Sequence, residues 1–311
     1  MTKINSKLDL DLLLTYLYCT LADDFLVPER GRPQGTNDAE LVCLAIAGVL
    51  LGCPTERGWL RRAHQRLGHL FPQIPKIAQY NKRIRRLTPM LERAISLLAA
   101  QYPETRTRFL IVDTTPIPCS QSKETVNRSR LGPGVVSRQK RAALRADQTQ
   151  NLADYGYCAA HKRHYWGFKL ATLITPSGFP VTATLVSGSL AEQDALRALL
   201  KIGEVQEKTI IGDKGFRGKK LEQEINKLGA DLIRPDFKNE KPRFGRGARI
   251  RQHVESTYQT LKGQLSLEKH GARTLSSLTA RITQRLCALA AALWLNYLFD
   301  QPGRHLTAYD H

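Results

Sequence analysis

Two short apolar runs each close on an aspartate: Phe109-Leu-Ile-Val-Asp113 and Thr209-Ile-Ile-Gly-Asp213. Runs of this kind form strands, and α/β sheets gather ligands at the carboxyl ends of their strands. On neighbouring strands the two carboxylates would meet. Two anions held close repel each other unless a cation lies between them. Magnesium is the natural choice, because it takes hard oxygen ligands and keeps positions open for water and phosphate. Taken singly, either aspartate reads equally well as a turn residue or a helix cap. A third carboxylate, Glu255, falls on a predicted helix in Arg251-Gln-His-Val-Glu-Ser-Thr-Tyr-Gln-Thr-Leu-Lys262. Arg251, Glu255, Tyr258 and Lys262 are spaced to share one side of that helix. The face reads either as an exposed ion-pair ladder, or as Glu255 completing a metal cage while Arg251 and Lys262 hold phosphates. Lys214 and Arg217, beside Asp213, suit phosphate contact or a solvated turn.

The elements that must position these residues follow from periodicity. Residues 1–104 read as an all-α N-terminal domain. Leu10, Leu13, Leu14, Leu17 and Leu21 recur at helical spacing, and Asn37-Asp-Ala-Glu40 forms a capping box before Leu41–Leu51. Further helices are expected over Glu56–Leu70 and after Pro75. The stretch Lys76–Arg86 is strongly basic, and Lys82, Arg83, Arg85 and Arg86 on it suit a helical DNA reader; a solvated helix face is the plainer alternative. From Arg108 the pattern changes to a mixed sheet with flanking helices, over 105–300. Strands are expected at Phe109–Asp113, Tyr165–Thr175, Phe179–Val186, Thr209–Gly212 and Asp231–Arg234. Helices are expected at Ala191–Leu200, Lys219–Leu228, Arg249–Leu265 and Leu275–Phe299. That order is the element order of a ribonuclease H-like domain. A basic insertion, about Pro118 to Arg163, reads as a loop or partly ordered insertion, an arm that closes over DNA and orders on binding, open to proteolysis near Arg138–Arg145. Residues 301–311 read as a polar tail.

The whole chain favours a polyanionic partner. Its formal net charge is +19, with 47 Lys+Arg against 28 Asp+Glu, and the excess is spread over several stretches. Nucleic acid is the expected partner. The six cysteines form no C-x-x-C pair, which excludes a zinc-ribbon reading and suits a reducing cytosol. No signal peptide opens the chain, and Leu41–Leu51 and Leu286–Phe299 are too short to span a bilayer. A cytoplasmic, nucleoid-associated protein with no membrane partner is expected.

Asp113-Thr-Thr-Pro-Ile-Pro118, Gly212-Asp-Lys-Gly-Phe-Arg-Gly218 and the Arg251/Glu255/Lys262 helix resemble, in that order, the DDE transposases of bacterial insertion sequences. The chain is most similar to the insertion-sequence family numbered 982. The run Tyr155-Gly-Tyr-Cys-Ala-Ala-His-Lys-Arg-His-Tyr-Trp-Gly-Phe-Lys169 is similar to the segment before that family's second strand. The resemblance implies that Asp113, Asp213 and Glu255 are catalytic and hold two divalent metal ions, magnesium with manganese able to substitute. It matches Arg251 and Lys262 to the signature Tyr-x2-Arg-x3-Glu-x6-Lys, whose Tyr falls on Ala248 here. Arg251, Lys262, Lys214, Arg217 and Lys169 would then contact DNA. The implied partners are the element's terminal inverted repeats and target DNA, bound by a homodimer or higher assembly. Asp194 resembles a family position at a helix start and reads as a cap or support. The implied chemistry is cleavage at the element's ends and transfer of the freed 3′-hydroxyl into target DNA. A ribonuclease H-like nuclease without transfer, and a non-catalytic DNA-binding protein derived from a transposase, are the alternatives.

Overall fold

The computed structural model describes residues 8–25, 35–53, 55–120, 122–132, 139, 152–158, 162–235 and 248–309. The helices that come first are α1 (Leu10–Phe25), α2 (Asp38–Leu50), α3 (Glu56–Leu67), α4 (Ile77–Arg86) and α5 (Thr88–Gln101). The strand β1 (Phe109–Ser120) opens the sheet, followed by α6 (Lys123–Arg128), β2 (Asp154–Cys158), β3 (Arg163–Ile174) and β4 (Pro180–Ser187). Then come α7 (Glu192–Leu200), β5 (Thr209–Ile211), α8 (Lys219–Lys227), β6 (Asp231–Ile233), α9 (Ala248–Gly263) and α10 (Leu275–Leu298).

The chain divides into two compact units. One comprises Met1–Pro103, Gln259–Gly271 and Ser276–His311, the other Glu104–Tyr258 and Ala272–Leu275. The helix α10 groups with the first helices. The reason is its composition. Leu286–Leu295 is buried residue after residue, and a helix apolar all round must be enclosed by other helices. Trp294 Nε1 donates to Gln101 Oε1 at 3.2 Å. The expected capping box is present: Glu40 N donates to Asn37 Oδ1 at 2.8 Å and Asn37 N to Glu40 Oε2 at 2.7 Å. The expected polar tail is anchored rather than free. Tyr309 is buried and its hydroxyl donates to Asn296 Oδ1 at 2.5 Å.

The second unit is built on a six-stranded sheet ordered β2-β3-β1-β5-β6, with β4 also paired to β3. Strand β1 is antiparallel to β3 and parallel to β5, and β5 is parallel to β6. One face carries the core: Leu110, Val112, Ala171, Leu173 and Ile210 pack with Leu196, Leu199, Leu221 and Ile225. The apolar stripes of α7 and α8 supply the last four.

Strand β1 was expected to stop at Asp113, but it runs on to Ser120 because β3 continues to pair with it through Trp166. Pro116 and Pro118, which have no N–H to donate, fall in the part of β1 beyond its pairing with β5. The stretch from Pro118 to Arg163 is not all loop. It contains α6 and the strand β2, whose residues pair with Arg163–Gly167 of β3. Sequence periodicity missed β2 because Asp-Tyr-Gly-Tyr-Cys carries no β-branched residue. The stretch expected to be open to proteolysis, Arg138–Arg145, lies outside the described residues apart from residue 139.

Candidate active site

Register brings the two aspartates together. In the parallel pair β1/β5, Ile111 lies opposite Ile211. Asp113, still on β1, and Asp213, two residues past the end of β5, each follow that aligned pair by two residues. Asp113 Oδ1 accepts from Thr114 N at 2.7 Å. Asp213 caps the short turn Lys214–Phe216, its Oδ1 accepting from Gly215 N at 2.7 Å. Capping of its own turn and presentation at the strand end are the same geometry.

The helix α9 is tied to this place through Tyr258. The Tyr258 hydroxyl donates to the Asp113 carbonyl at 3.0 Å. Its one proton is spent there, so the 2.7 Å bond to Thr172 Oγ1 takes Thr172 as donor. Burial, and then the Asp113 charge, push the Tyr258 phenol well above its ordinary pKa, which keeps the donated proton in place. Thr172 is the β3 residue opposite Asp113. Glu255 precedes Tyr258 by one helical turn and is exposed. α9 is thus bonded to β1 at Asp113, and β5 is paired with β1 just before it.

A fourth carboxylate, Glu192, enters at the start of α7. Thr114 Oγ1 donates to Glu192 Oε1 at 3.3 Å. A methyl group built on Gly215 would fall 2.0 Å from Glu192 Oε2 and 2.9 Å from Asp213 Oδ1, so both carboxylates converge on that glycine. Burial, and then the Asp213 carboxylate, raise the Glu192 pKa; Lys169 and the Thr114 hydroxyl act against the shift. Lys169 Nζ donates to Leu190 O at 2.7 Å, and burial lowers its own pKa. The sequence alone leaves Glu192 and Asp194 as equal candidates to stand in for Glu255. Asp194 instead accepts from Arg197 Nη1 at 2.7 Å, while Arg197 Nε reaches Glu224 Oε2 at 2.6 Å. The available signal was position: Glu192 is the first residue of its helix, the end that faces the carboxyl ends of the strands in such folds.

Among the described residues, no three His, Cys, Asp or Glu side chains are close enough to hold a metal ion as they stand. The donors nevertheless suit a hard divalent cation in kind, being carboxylates only. The close approach of Glu192 to Asp213 is the repulsive arrangement that a cation relieves.

The expected cations are distributed less uniformly. Lys214 and Arg217 are exposed beside Asp213. Lys262 Nζ lies 3.0 Å from Glu268 Oε1. The Arg251 side chain lies outside the described residues. On α4, Lys82, Arg85 and Arg86 are exposed, whereas Arg83 pairs with Asp38 and donates to Thr36 O at 2.7 Å. No helix among the described residues is long and apolar enough to cross a membrane.

No curated protein matches this chain. A solved structure described as a piggyBac transposase synaptic complex with hairpin DNA, seen by cryo-EM, is 10% identical. The match covers 96% of this chain and 77% of that one, with a TM-score of 0.38, too low to carry an argument. The profile of the family described as the transposase DDE domain matches residues 104–291. That span is more than half of the sequence and includes Asp113, Glu192, Asp213 and Glu255, so the chain belongs to the transposase DDE domain family.

Proposed function

We propose that the protein is the transposase of a bacterial insertion sequence, related to the family numbered 982, and that it cuts DNA at the element's ends and joins the freed 3′-hydroxyls to target DNA. The catalytic unit is read as ribonuclease H-like, and the leading helices as the reader of the inverted repeats, within a homodimer or larger assembly. The observation that carries this reading is the β1/β5 register, which aligns Asp113 with Asp213 while Tyr258 holds the helix of Glu255 against Asp113.

In this reading Asp113, Asp213 and Glu255 supply the ligand oxygens for two magnesium ions, with manganese able to substitute. When bound, such ions polarise a phosphate and make a bound water acidic. The chain's own groups do the rest. Tyr258 and Thr172 fix the backbone at Asp113, and Gly215 N–H fixes the Asp213 carboxylate. Lys214, Arg217, Arg251, Lys262 and Lys169 are assigned to DNA phosphates. In cleavage, water oxygen bonds to phosphorus as the bond from phosphorus to the 3′-oxygen breaks, and the leaving oxygen takes up a proton. In transfer, that 3′-oxygen bonds to a target phosphorus as the target's own 3′-oxygen leaves. No protein nucleophile is consumed. The reading is tested with duplex DNA carrying the sequences that border the gene: magnesium should yield a cut at the repeat end, and EDTA should prevent it.

Two further results are expected. Affinity for DNA should fall steeply with salt, because Lys and Arg on phosphates release counterions. Neutralising Lys82, Arg85 and Arg86 together should reduce the log–log salt slope by up to about 2.7, at roughly 0.9 per contact. Arg83→Ala should instead lower stability, since its guanidinium is engaged within the helical unit; an unchanged slope in the triple variant would move end recognition off α4. Separately, Glu192→Gln removes one of two crowded negative charges at nearly constant shape. In EDTA it should raise the melting temperature, by about 2–4 °C for relief on the order of 1 kcal/mol, while weakening metal-dependent cleavage. A lowered melting temperature in calorimetry would mean that repulsion from Asp213 does not dominate there.

A further inference from the structure

The helical unit holds a half-open pocket of about 190 Å³ whose walls include Glu56, Trp59, Tyr80, Arg281, Gln284 and Arg285. Its polar groups do not balance. Arg281 is neutralised by Glu56, with Nε and Nη2 at 2.6 and 2.5 Å from the two carboxylate oxygens. Arg285 is 8% exposed, and its bonds run to the carbonyls of Ser266 and Arg281 at 3.1 and 2.8 Å. Carbonyls satisfy its N–H groups without cancelling its charge. Burial, and then the neighbouring Arg281, lower the Arg285 pKa to about 10, so it remains charged at neutral pH. Two further donors line the same cavity with no partner among the described residues: Trp59 Nε1, on a side chain 2% exposed, and Gln284 Nε2, on one 4% exposed. Buried donors without acceptors are costly, and so are two buried arginines that share the single carboxylate of Glu56.

We propose that this cavity is a phosphate-binding site. One ligand class corrects all of these deficits together: a compact oxyanion with several acceptor oxygens. Arginine's fork suits phosphate oxygens, and the volume holds a phosphate group together with a few waters, at about 30 Å³ per water. The phosphate is either a group on a DNA strand or a free ion. The site shares no residue with the carboxylate site and does not depend on the reading of that site.

The test uses the full chain and inorganic phosphate. Melting temperature is followed against phosphate concentration, with sodium chloride at matched ionic strength as reference, and binding is measured by titration calorimetry. Phosphate should give a saturable rise that chloride does not. Trp59→Phe and Gln284→Leu each delete one donor and keep most of the volume, so each should weaken phosphate about tenfold. Arg285→Leu should abolish binding; should that variant fail to fold, the other two decide. Displacement of bound phosphate by a duplex would assign the site to a DNA strand, and joint binding of both would assign it to the free ion. Equal melting in phosphate and chloride, or unchanged affinity in Trp59→Phe and Gln284→Leu, would overturn the proposal and leave a water-filled cavity.

Discussion

Replacing Asp113, Asp213 or Glu255 singly by Ala should lower strand cleavage by roughly 10³-fold or more while leaving DNA binding largely intact. The separation of the two effects follows from where the residues lie. Asp113 and Asp213 follow the aligned pair Ile111/Ile211 and neither belongs to the apolar core, so truncating them removes carboxylate oxygens and no core packing. Glu255 is exposed on α9, and the helix is held by Tyr258 one turn on. Each loss should be near-complete because the acids act as one unit and are not additive. Cleavage assays on end-bearing duplexes, with gel-shift binding in parallel, check this. Near-normal cleavage by Glu255→Ala would remove that residue from the mechanism. Glu192, already beside Asp213, would then be the acid to replace next.

The second large effect is on the sheet itself. Gly167→Ala should destabilise the protein by about 3 kcal/mol or more. Gly167 lies on β3 opposite Pro118 of β1, at φ +158°. A methyl group there would meet Ile117 O at 2.1 Å and Cys119 N at 3.0 Å. Both are backbone atoms of β1, so no side-chain rotation can relieve the clash and the strands must separate. β1 also carries Asp113, so cleavage should fall with stability. Denaturant unfolding measures the loss, and a variant as stable as the parent would mean that β1 shifts there without cost.

Much of this was legible in the sequence, for identifiable reasons. The helices α1 and α2 were set by leucine spacing and by the Asn37/Glu40 capping box, both local signals. The hairpin of β3 and β4 was marked by Pro176-Ser-Gly178. What escaped depends on contacts between distant segments. That β1 runs past Asp113 is decided by β3, more than forty residues on. That α10 joins the first helices is decided by what encloses it, and periodicity cannot name a partner. Nothing in Gly-Ser-Leu-Ala-Glu-Gln-Asp distinguishes Glu192 from Asp194. Only the fold, by pairing Asp194 with Arg197 and turning Glu192 towards Thr114 and Asp213, separates the two.

Strand transfer is the step that separates a transposase from a nuclease on the same sheet, and it tests the central claim most directly. The substrate is a pre-cut duplex ending in the 3′-hydroxyl of the inverted repeat that borders the gene, mixed with plasmid target and magnesium. The account predicts covalent joining of that strand to the plasmid, dependent on divalent metal and absent for Asp213→Ala. A protein that binds the duplex and nicks DNA but never joins it, under either magnesium or manganese, would contradict the account and leave a nuclease.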